Sequence, residues 1–333
     1  MEQIFIIAEI GITCNYDLEL SKKLIKSAKE SGADAVKFGI HFPDELMSDT
    51  SIDYTYDTVN GKVTENMFDM LSSATFTLKE WKEIKKTCKD NDIEFFASIE
   101  GKTSIEWGEK LGFNYFKVGT WDVSDVMQLE QLAELNKKII VDIGASPEQE
   151  IEDMIKIIGP ENIIILHDFH TSLYSQMNMS TIRYVAEKYN VVTGFSSPST
   201  YDINDYVAVG LGAKVIEKRL TIDRNLDGHH HVLSKTPSEF KEWVLNIRNA
   251  SKSIGKYGIS PSDNDLAERT QWFKHLCIRK DIPAGTLITK EHLVCKRPEK
   301  LESLRPKDYK KLIGKTTKRD LRKNESVKLE DVE

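Results

Sequence analysis

The stretch that decides the fold is Gly212–Ser234, with the sequence GAKVIEKRLTIDRNLDGHHHVLS. It begins with a short apolar run, and three charged residues, Glu217, Lys218 and Arg219, stand where a buried strand should end. A buried parallel strand accommodates such charges when its end opens into a polar cavity. The alternative is a solvated strand end followed by a chance histidine run. We favour the interpretation in which the rest of the chain builds a cup around Glu217 and Lys218.

The composition places the chain among ordinary globular proteins. It has 333 residues, of which 40% are hydrophobic, and a formal net charge of −7. This length suggests two domains, or one barrel with an appended module. No run approaches the roughly 18 apolar residues of a membrane span, and the first residues lack the features of a signal peptide. Because four scattered cysteines do not form a disulfide framework, we expect a cytoplasmic protein with no membrane partner.

The charge is divided unevenly along the chain. From Gln271 onward, 17 lysines and arginines stand against 10 acidic residues, a net charge of +7, and the preceding residues carry −14. Such a division could mark a tail that binds nucleic acid. Here the basic residues are interleaved with apolar ones. We therefore predict a folded module that meets an acidic surface or an anionic ligand, and no nucleic-acid partner.

Short apolar runs alternate with segments of helical periodicity up to Ser253. The predicted strands are Gln3–Ile10, Ala33–Ile40, Ile93–Ser98, Tyr115–Val118, Lys138–Ile143, Asn162–Leu166, Val191–Phe195 and Lys214–Lys218. Eight strands, nearly all followed by helices, predict an α/β fold of the (β/α)8 or TIM-barrel type. The main alternative is a doubly wound open sheet, but no Gly-x-Gly-x-x-Gly follows the first strand.

Two further segments define the domain organisation. The long polar insert His41–Phe76 follows the second strand, and its length is typical of a lid or an active-site wall. Gly255–Arg269 carries turn residues that predict a linker. The residues beyond it contain short β-like pieces and form a module of roughly 60 residues, which would gain stability from docking. The predicted boundaries are 1–254 for the barrel, 255–270 for the linker and 271–333 for the module.

In a (β/α)8 barrel the active site lies at the carboxyl ends of the strands. The polar residues at those positions are Glu9, Thr13, Cys14, Asn15, Lys37, Ser98, Glu100, Lys117, Thr120, Asp122, Asp142, His167, Asp168, His170, Ser196, Ser197, Glu217 and Lys218. Lysines there suit an anionic substrate such as a phosphate or a carboxylate. Facing carboxylates can hold sugar hydroxyls, hold a metal or act as acid and base. Alternatively, a desolvated lysine forms a Schiff base.

Four segments of this chain resemble the sialic acid synthase family. They are AEIG at Ala8–Gly11, GADAVKF at Gly32–Phe38, GAKVIEK at Gly212–Lys218 and KRP at Lys296–Pro298. The resemblance covers nearly the whole chain and implies a TIM barrel followed by a small antifreeze-like (SAF, β-clip) domain. It also implies condensation of phosphoenolpyruvate with an N-acyl hexosamine, in the biosynthesis of nonulosonic acids for surface glycans. The family is further characterised by a swapped homodimer, in which the SAF domain covers the partner's active site.

The strand-end positions and this resemblance together give the candidate residues. The candidate catalytic residues are Glu9, Glu217, Lys218 and Arg219. The candidate substrate-binding residues are Lys37, Lys117, Thr120, Asn15, Asn178, Asp142, Ser196, His231 and Ser234. In this hypothesis Lys37 and Lys117 bind the anionic substrate, and Glu9 and Glu217 position the sugar aldehyde.

The chain departs from the family pattern at several of these positions. In the family, two histidines bind a divalent metal. In this chain Pro198, within Ser196–Ser199, stands in place of the first histidine, and Arg219 stands in place of the second. Proline has no side-chain donor atom and arginine is a permanent cation, so we predict no metal and no other cofactor. The family's Ser-Thr-Gly after strand 5 becomes Asp142–Gly144, and its Lys-Phe-Gln becomes Lys37–Gly39. The Gly-x-Gly-Ile that follows KRP becomes Glu299–Glu302.

Three functional hypotheses follow. The leading one is a diverged sugar-acid synthase in which Arg219 supplies positive charge from the place of the metal. The second is a lyase or aldolase acting on a keto-sugar acid through a lysine imine. The third is a non-catalytic paralogue that binds sugars or pairs with an active synthase. The histidines at 229–231 could form a relocated metal site, but neighbouring loop histidines seldom converge, and we expect His231 to contact substrate.

Overall fold

The computed structural model describes residues 3–300 and 302–333. Met1, Glu2 and Leu301 lie outside the described residues, and Leu301 belongs to the Glu299–Glu302 stretch noted above. The described chain falls into two compact units with the boundary after Gly255. None of the described helices is long and apolar enough to cross a bilayer. The four cysteines are free thiols, as expected from their spacing.

The first unit is a closed barrel of parallel strands, which confirms the predicted TIM-barrel architecture. Its strands are β1 (Phe5–Glu9), β2 (Ala35–Ile40), β3 (Asp53–Thr58), β4 (Gly61–Asn66), β5 (Glu94–Ile99), β6 (Tyr115–Val118), β7 (Lys138–Asp142), β8 (Ile163–His167), β9 (Val192–Ser197) and β10 (Val215–Arg219). All but β3 and β4 close the barrel, in the order β1-β10-β9-β8-β7-β6-β5-β2. These strands are apolar and mostly buried along their length because helices cover their outer faces.

Helices surround the barrel and join its strands. They are α1 (Leu18–Glu30), α2 (Pro43–Leu46), α3 (Met67–Ser73), α4 (Leu78–Asp90), α5 (Lys102–Leu111), α6 (Val126–Glu134), α7 (Glu148–Ile158), α8 (Thr181–Tyr189), α9 (Ile203–Gly210) and α10 (Pro237–Ser253). Their ends follow from local chemistry. The α10 helix begins with a capping box between Thr236 and Glu239, and α5 ends at Gly112, whose φ of 69° favours glycine.

Strand register brings the charged strand ends into one layer. Glu9 of β1 lies opposite Lys37 of β2 on one side and Arg219 of β10 on the other. Successive residues of a strand point to opposite faces. Glu217 and Arg219 therefore share one face of β10, and Lys218 between them takes the other.

The insert after β2 is an ordered structure. Its α2 and α3 helices flank a hairpin in which β3 and β4 pair antiparallel, from Asp53 opposite Asn66 to Thr58 opposite Gly61. On β3 every second residue is half-buried, and the first four residues of β4 are exposed. The polar residues of the insert therefore belong to a hairpin with one face toward solvent.

The second unit is a small β-rich module. It contains α11 (Asp263–Trp272) and the antiparallel pair β11 (His275–Ile278) and β12 (Leu293–Lys296). Its buried core consists of Leu276, Ile278, Ile282, Ile288, Leu293, Leu312, Leu321, Val327 and Val332. The stretch predicted as a linker, Gly255–Arg269, contains the start of a helix in its second half. There Ser262 and Asp265 form a capping box that starts α11.

Candidate active site

A cavity of about 230 Å³ opens at the carboxyl ends of the barrel strands, where this fold places active sites. Its lining is rich in charge. The acidic and basic lining residues are Glu9, Lys37, Lys117, Asp142, Asp168, Glu217, Lys218 and Arg219. The predicted residues Thr120 and Ser196 line it as well. The cavity therefore contains most of the side chains that the strand-end argument selected.

A continuous network of ion pairs runs through this cavity. Glu217 is at its centre, with Oε1 3.0 Å from Lys37 Nζ and Oε2 3.1 Å from Lys117 Nζ. Lys37 also contacts Glu9, and Lys117 Nζ lies 2.5 Å from Asp142 Oδ1. At most 14% of any of these five side chains is exposed. Three carboxylates and two ammonium groups thus share one buried site.

The network fixes the charge state of its central groups. Burial on its own would raise the pKa of Glu217, but Lys117 and Lys37 outweigh that effect and lower this pKa to about 2. Burial would likewise lower the pKa of Lys37, but Glu217 and Glu9 raise it above the ordinary lysine value. Both groups are therefore charged throughout the neutral pH range.

Asp142 differs from the other carboxylates of the network. Burial raises its pKa to about 7, and nearby Glu217 and Asp168 add to this shift against the opposing effect of Lys117. Asp142 therefore titrates near neutral pH, where the carboxyl group can accept or give up a proton. At the position where the resembled family has a hydroxyl group, this chain therefore has a carboxyl group whose charge changes near neutral pH.

Asp168 is a residue that the site prediction left out. Its Oδ2 accepts a hydrogen bond of 2.8 Å from the Thr120 hydroxyl, and its Oδ1 accepts one from the Gly144 amide. The carboxylate also lies 3.7 Å from the imidazole of His170, which packs against Trp121. Its position directly after β8 was the available signal, since the neighbouring strands contribute Lys117 and Asp142 from equivalent places.

Arg219 lies at the end of β10 and lines the cavity. Its Nη1 donates a 2.9 Å hydrogen bond to the backbone carbonyl of Pro198. Within the described residues no carboxylate lies within 4.0 Å of its guanidinium. It is therefore a cation held by a neutral acceptor beside a network rich in carboxylates.

Lys218 does not bring its ammonium group to this network. Its Nζ contacts the buried Asp205 and lies 3.1 Å from Asp202 Oδ1 and 2.9 Å from the Tyr201 carbonyl. The indole of Trp243 covers the ammonium at 5.4 Å. The side chain borders the cavity, but its charge is engaged between α9 and α10. The prediction of a catalytic role for Lys218 therefore finds no support in this geometry.

Three other candidates organise the loop after β10 and do not line this cavity. The Nδ2 of Asn15 donates to the Asp227 carbonyl at 2.7 Å, and its Oδ1 lies 3.1 Å from His231 Nε2. The other ring nitrogen of His231 lies 2.7 Å from the Thr221 hydroxyl. Ser234 donates to the carbonyl of His230. His231 is 1% exposed, and these contacts hold the loop in place; its contact with substrate stays a prediction.

Asn178 is also away from the main cavity. It adopts a left-handed backbone conformation with a φ of 46° and borders a separate small cavity beside Gly144 and Met177. It is not brought together with Lys37 or Lys117.

A second cavity, of about 470 Å³, adjoins the first across the shared residues Ile12 and Trp121. The insert contributes much of its wall. The lining residues include Asn15, Tyr16, His41, Tyr54, Tyr56, Glu65, Met67, Met70, Leu71, Glu100 and His229. The prediction of the insert as an active-site wall fits this placement. None of the described residues that line it is a lysine or an arginine.

Two imidazole–carboxylate pairs lie in the wall of the second cavity. His41 Nδ1 lies 2.8 Å from Glu100 Oε2, and His229 Nε2 lies 3.1 Å from Glu65 Oε1. The ring of His41 also occupies the space that a side chain at position 39 would need, since a Cβ on Gly39 would lie 2.3 Å from His41 Nε2. The change to glycine at position 39 and the presence of His41 thus belong together.

The histidines at 229–231 each have a different environment. They face different partners, as the sequence suggested. Burial and the nearby charge of Arg219 lower the pKa of His230 to about 3, and His230 Nε2 lies 3.2 Å from the Tyr54 hydroxyl. Over residues 3–300 and 302–333 no group of three metal-ligating side chains converges.

The donor set at the place of the family's metal does not suit a divalent cation. Pro198 presents only its carbonyl oxygen, and that oxygen accepts from Arg219. The guanidinium would repel an incoming cation and cannot act as a ligand. The metal of the resembled family therefore does not fit these residues.

Comparison with known proteins places this barrel in a family. The NeuB family model matches residues 24–258, and the SAF domain model matches residues 276–333. The chain therefore belongs to the NeuB family and carries a SAF domain, as the sequence resemblance implied. The two matches leave residues 259–275 between them, a stretch that includes the whole of α11.

Individual relatives match over almost the full length. N,N'-diacetyllegionaminic acid synthase of Legionella pneumophila is 29% identical over 99% of this chain and 94% of its own. Pseudaminic acid synthase of Campylobacter jejuni is 29% identical over 99% of this chain and 97% of its own length. The solved N-acetylneuraminic acid (sialic acid) synthetase of Leptospira borgpetersenii, in complex with citrate, is 26% identical. It superposes with a TM-score of 0.71 over 80% of this chain and 90% of that structure.

Proposed function

We propose that this chain condenses phosphoenolpyruvate with the aldehyde of an N-acyl hexosamine and water, giving a nonulosonic acid and inorganic phosphate. The product would serve surface-glycan biosynthesis. The observation that carries the proposal is the pair of buried lysines held by Glu217 at the strand ends. Relatives named as synthases of legionaminic and pseudaminic acid support it.

The lysines would bind the carboxylate and phosphate of phosphoenolpyruvate. An ammonium group offers three N–H donors. Lys117 directs two of its donors to Glu217 and Asp142, which leaves one for a ligand. Lys37 already faces Glu9, Glu217 and the hydroxyl of Ser98. An anion must therefore compete with a carboxylate of the network, and its binding depends on how much of that negative charge is neutralised.

Glu217 would act on both lysines at once. Each of its oxygens faces a different ammonium group, so it fixes the distance between the two cations. In this proposal Glu217 and Glu9 arrange the cations and the approaching aldehyde. Asp142 would take up a proton when the anion binds and so lose its negative charge.

The second cavity would hold the acyl sugar. Its aromatic and thioether side chains suit acyl methyl groups and the apolar face of a sugar ring. The imidazole–carboxylate pairs His41–Glu100 and His229–Glu65 offer partners for hydroxyl and amide groups. Because this wall carries carboxylates and no lysine or arginine within the described residues, it favours a neutral acceptor over a phosphorylated one.

The imine alternative receives less support from the geometry. A lysine that forms an imine must be available as the neutral amine. Glu217 and Glu9 have the opposite effect on Lys37, since together they overcome burial and raise its pKa. Lys117 is held between two carboxylates. Trapping of a keto acid on either lysine by borohydride would favour the lyase hypothesis.

A direct assay tests the proposal. The full chain is incubated with phosphoenolpyruvate and, in turn, several neutral N-acyl hexosamines and one phosphorylated N-acyl hexosamine. We expect phosphate release that requires a neutral acyl sugar, with a nonulosonic acid as the product by mass spectrometry. If none of the sugars causes phosphate release, with or without added manganese, the non-catalytic hypothesis becomes the better one.

The affinity for phosphoenolpyruvate should depend on the protonation of Asp142. Its pKa of about 7 means that the carboxyl group is neutral below that pH and negative above it, so the affinity should fall as the pH rises. We expect a loss of about tenfold between pH 6 and pH 8. Calorimetry in buffers of different ionisation enthalpy should also detect proton uptake on binding near pH 7.

The variant Asp142→Asn is the control, because the ligand titrates identically with both proteins. Its affinity should show only the weaker pH dependence of phosphoenolpyruvate itself. If the variant and the wild type show the same pH dependence, Asp142 does not carry the effect.

The oligomeric state is a further part of the proposal. The charge of +7 from Gln271 onward and of −14 before it favours contact between a basic module and an acidic barrel. We propose a homodimer in which the SAF domain of one subunit covers the barrel mouth of the other. Sedimentation velocity at micromolar concentration should therefore show a dimer in low salt, and a monomer under these conditions would contradict the arrangement.

A further inference from the structure

Arg219 is the cation of the cavity that the ion-pair network does not neutralise. Lys37, Lys117 and Lys218 each have at least one carboxylate oxygen within 3.1 Å. The guanidinium of Arg219, in contrast, has no carboxylate within 4.0 Å among the described residues. Arg219 is half-buried, and its guanidinium borders the cavity without a carboxylate partner of its own in the described part of the chain. The position therefore calls for a group that carries or develops negative charge.

The backbone fixes where this charge lies. Arg219 follows Glu217 by two residues on β10, so both side chains take the same face of the strand. Its Cα is paired in register with Glu9 of β1. The bond from Nη1 to the Pro198 carbonyl uses one of the five N–H donors of the guanidinium. The remaining donors are available on a planar group that is already anchored.

We propose that Arg219 donates hydrogen bonds to the carbonyl oxygen of the sugar aldehyde and stabilises the negative charge that this oxygen gains. This inference rests on the proposed condensation. In the bond-forming step the π electrons of phosphoenolpyruvate form the new C–C bond to the aldehyde carbon. The π electrons of the aldehyde move to its oxygen, which takes a proton from water and becomes a hydroxyl group. The hydroxide of that water adds to the cationic C2 of the former enolpyruvate, and the C–O bond to phosphate then breaks, which gives the 2-keto acid and inorganic phosphate. Arg219 transfers no proton in this step.

The residues that replace the family's metal ligands thus form a unit. Pro198 has no ligand atom in its side chain but supplies the carbonyl that orients Arg219. The guanidinium supplies fixed positive charge at the strand end, and oriented donors of this kind stabilise a developing oxyanion. The reaction would then proceed without a divalent cation bound at this position.

The first test separates charge from shape at position 219. Arg219→Gln keeps a polar side chain and removes the charge, and Arg219→Lys keeps the charge with different geometry. We expect kcat to fall about 10²–10³-fold in Arg219→Gln, as for loss of an oxyanion donor, with partial activity in Arg219→Lys. The KM for phosphoenolpyruvate should change less than tenfold in both variants. The control is Arg183→Gln, which makes the same change on an exposed arginine of α8.

The second test has a readout that does not require turnover. Manganese alone is titrated into the protein, and free Mn²⁺ is followed by its electron paramagnetic resonance signal. Wild-type protein should leave the signal unchanged, and its phosphate release should survive exhaustive chelation. The double variant Pro198→His with Arg219→His creates two candidate ligands near Glu217, and it should bind the ion and lower the signal.

The outcomes distinguish this inference from the proposed function. Wild-type condensation that chelation abolishes and manganese restores would leave the function intact and overturn the role of Arg219. Arg219→Gln with unchanged kcat would do the same. Failure to condense any acyl sugar, with or without manganese, would overturn the proposed function, and the inference with it. Chelator-resistant activity that depends on Arg219 would support both.

Discussion

Replacing Lys117 by methionine should weaken phosphoenolpyruvate binding by about 2–4 kcal/mol, the range for loss of a buried, charge-assisted contact. The side chain is 1% exposed and contacts Glu217 and Asp142, so methionine preserves most of the buried apolar stem and removes the charge. The same change at Lys37 should have a comparable effect. Isothermal titration calorimetry with phosphoenolpyruvate measures both, at a pH below 7 where Asp142 opposes the ligand least.

A matched control is available on the same barrel. Lys218 is as deeply buried as Lys117, but its ammonium group faces Asp205 and Trp243. Lys218→Met should therefore lower the free energy of unfolding by leaving Asp205 unpaired, with little effect on the affinity for phosphoenolpyruvate. Unchanged affinity in both Lys37→Met and Lys117→Met would place the anion site elsewhere. A large loss of affinity in Lys218→Met would instead add Lys218 to the anion site.

The barrel could be predicted from the sequence because burial dictates its composition. A parallel strand covered on both sides must be apolar along its length, so runs such as Ile163–Ile165 and Ile139–Val141 stand out from the helices between them. The hairpin of the insert could not be predicted in this way. One of its faces meets solvent, and its polar residues resemble those of a loop. The start of α11 was hidden for a similar reason, since Ser262 and Asp263 are typical of turns as well as of helix caps.

The site was predicted more accurately in its location than in its details. Strand ends identify which residues approach the cavity, but not which side of a strand each residue takes. Applied to β10, the alternation of strand residues already separates Lys218 from Glu217 and Arg219. For His231 and Asn15 the sequence offered no such guide, because their positions depend on hydrogen bonds within a loop. The ion pairs among five strand ends likewise arise from closure of the barrel, which pairs β1 with β10 and places Glu9 opposite Arg219.

The wall of the second cavity illustrates the same limit. Glu65 and Tyr56 lie on the hairpin, His229 lies on the loop after β10, and only the folded chain brings them together. In the sequence His229 is more than 160 positions away from both hairpin residues. A long polar insert indicates that a wall exists, but its chemistry depends on which distant loop packs against it.

Replacing Glu217 by glutamine should lower the free energy of unfolding by about 3 kcal/mol at neutral pH. In the folded protein Lys117 and Lys37 outweigh burial and lower the pKa of Glu217 from 4.5 to about 2, and each pKa unit corresponds to about 1.4 kcal/mol. Because the folded-state pKa is below the unfolded one, this contribution is fully present above about pH 4.5 and is lost as the pH falls toward 2. Glutamine keeps the shape but leaves the two ammonium groups facing each other without their shared counter-ion.

This change should affect stability and anion binding in opposite directions. Urea denaturation measured from pH 3 to pH 7 should show a gap between wild type and Glu217→Gln that narrows as the pH falls, whereas the exposed control Glu109→Gln should follow the wild type throughout. Removing one negative charge between the lysines should meanwhile leave phosphoenolpyruvate binding equal or tighter, and turnover should fall because the cations lose their fixed spacing. A gap that does not vary with pH would mean that Glu217 stabilises the barrel through packing alone. Weaker binding of phosphoenolpyruvate would mean that Glu217 is needed to position the lysines for the anion.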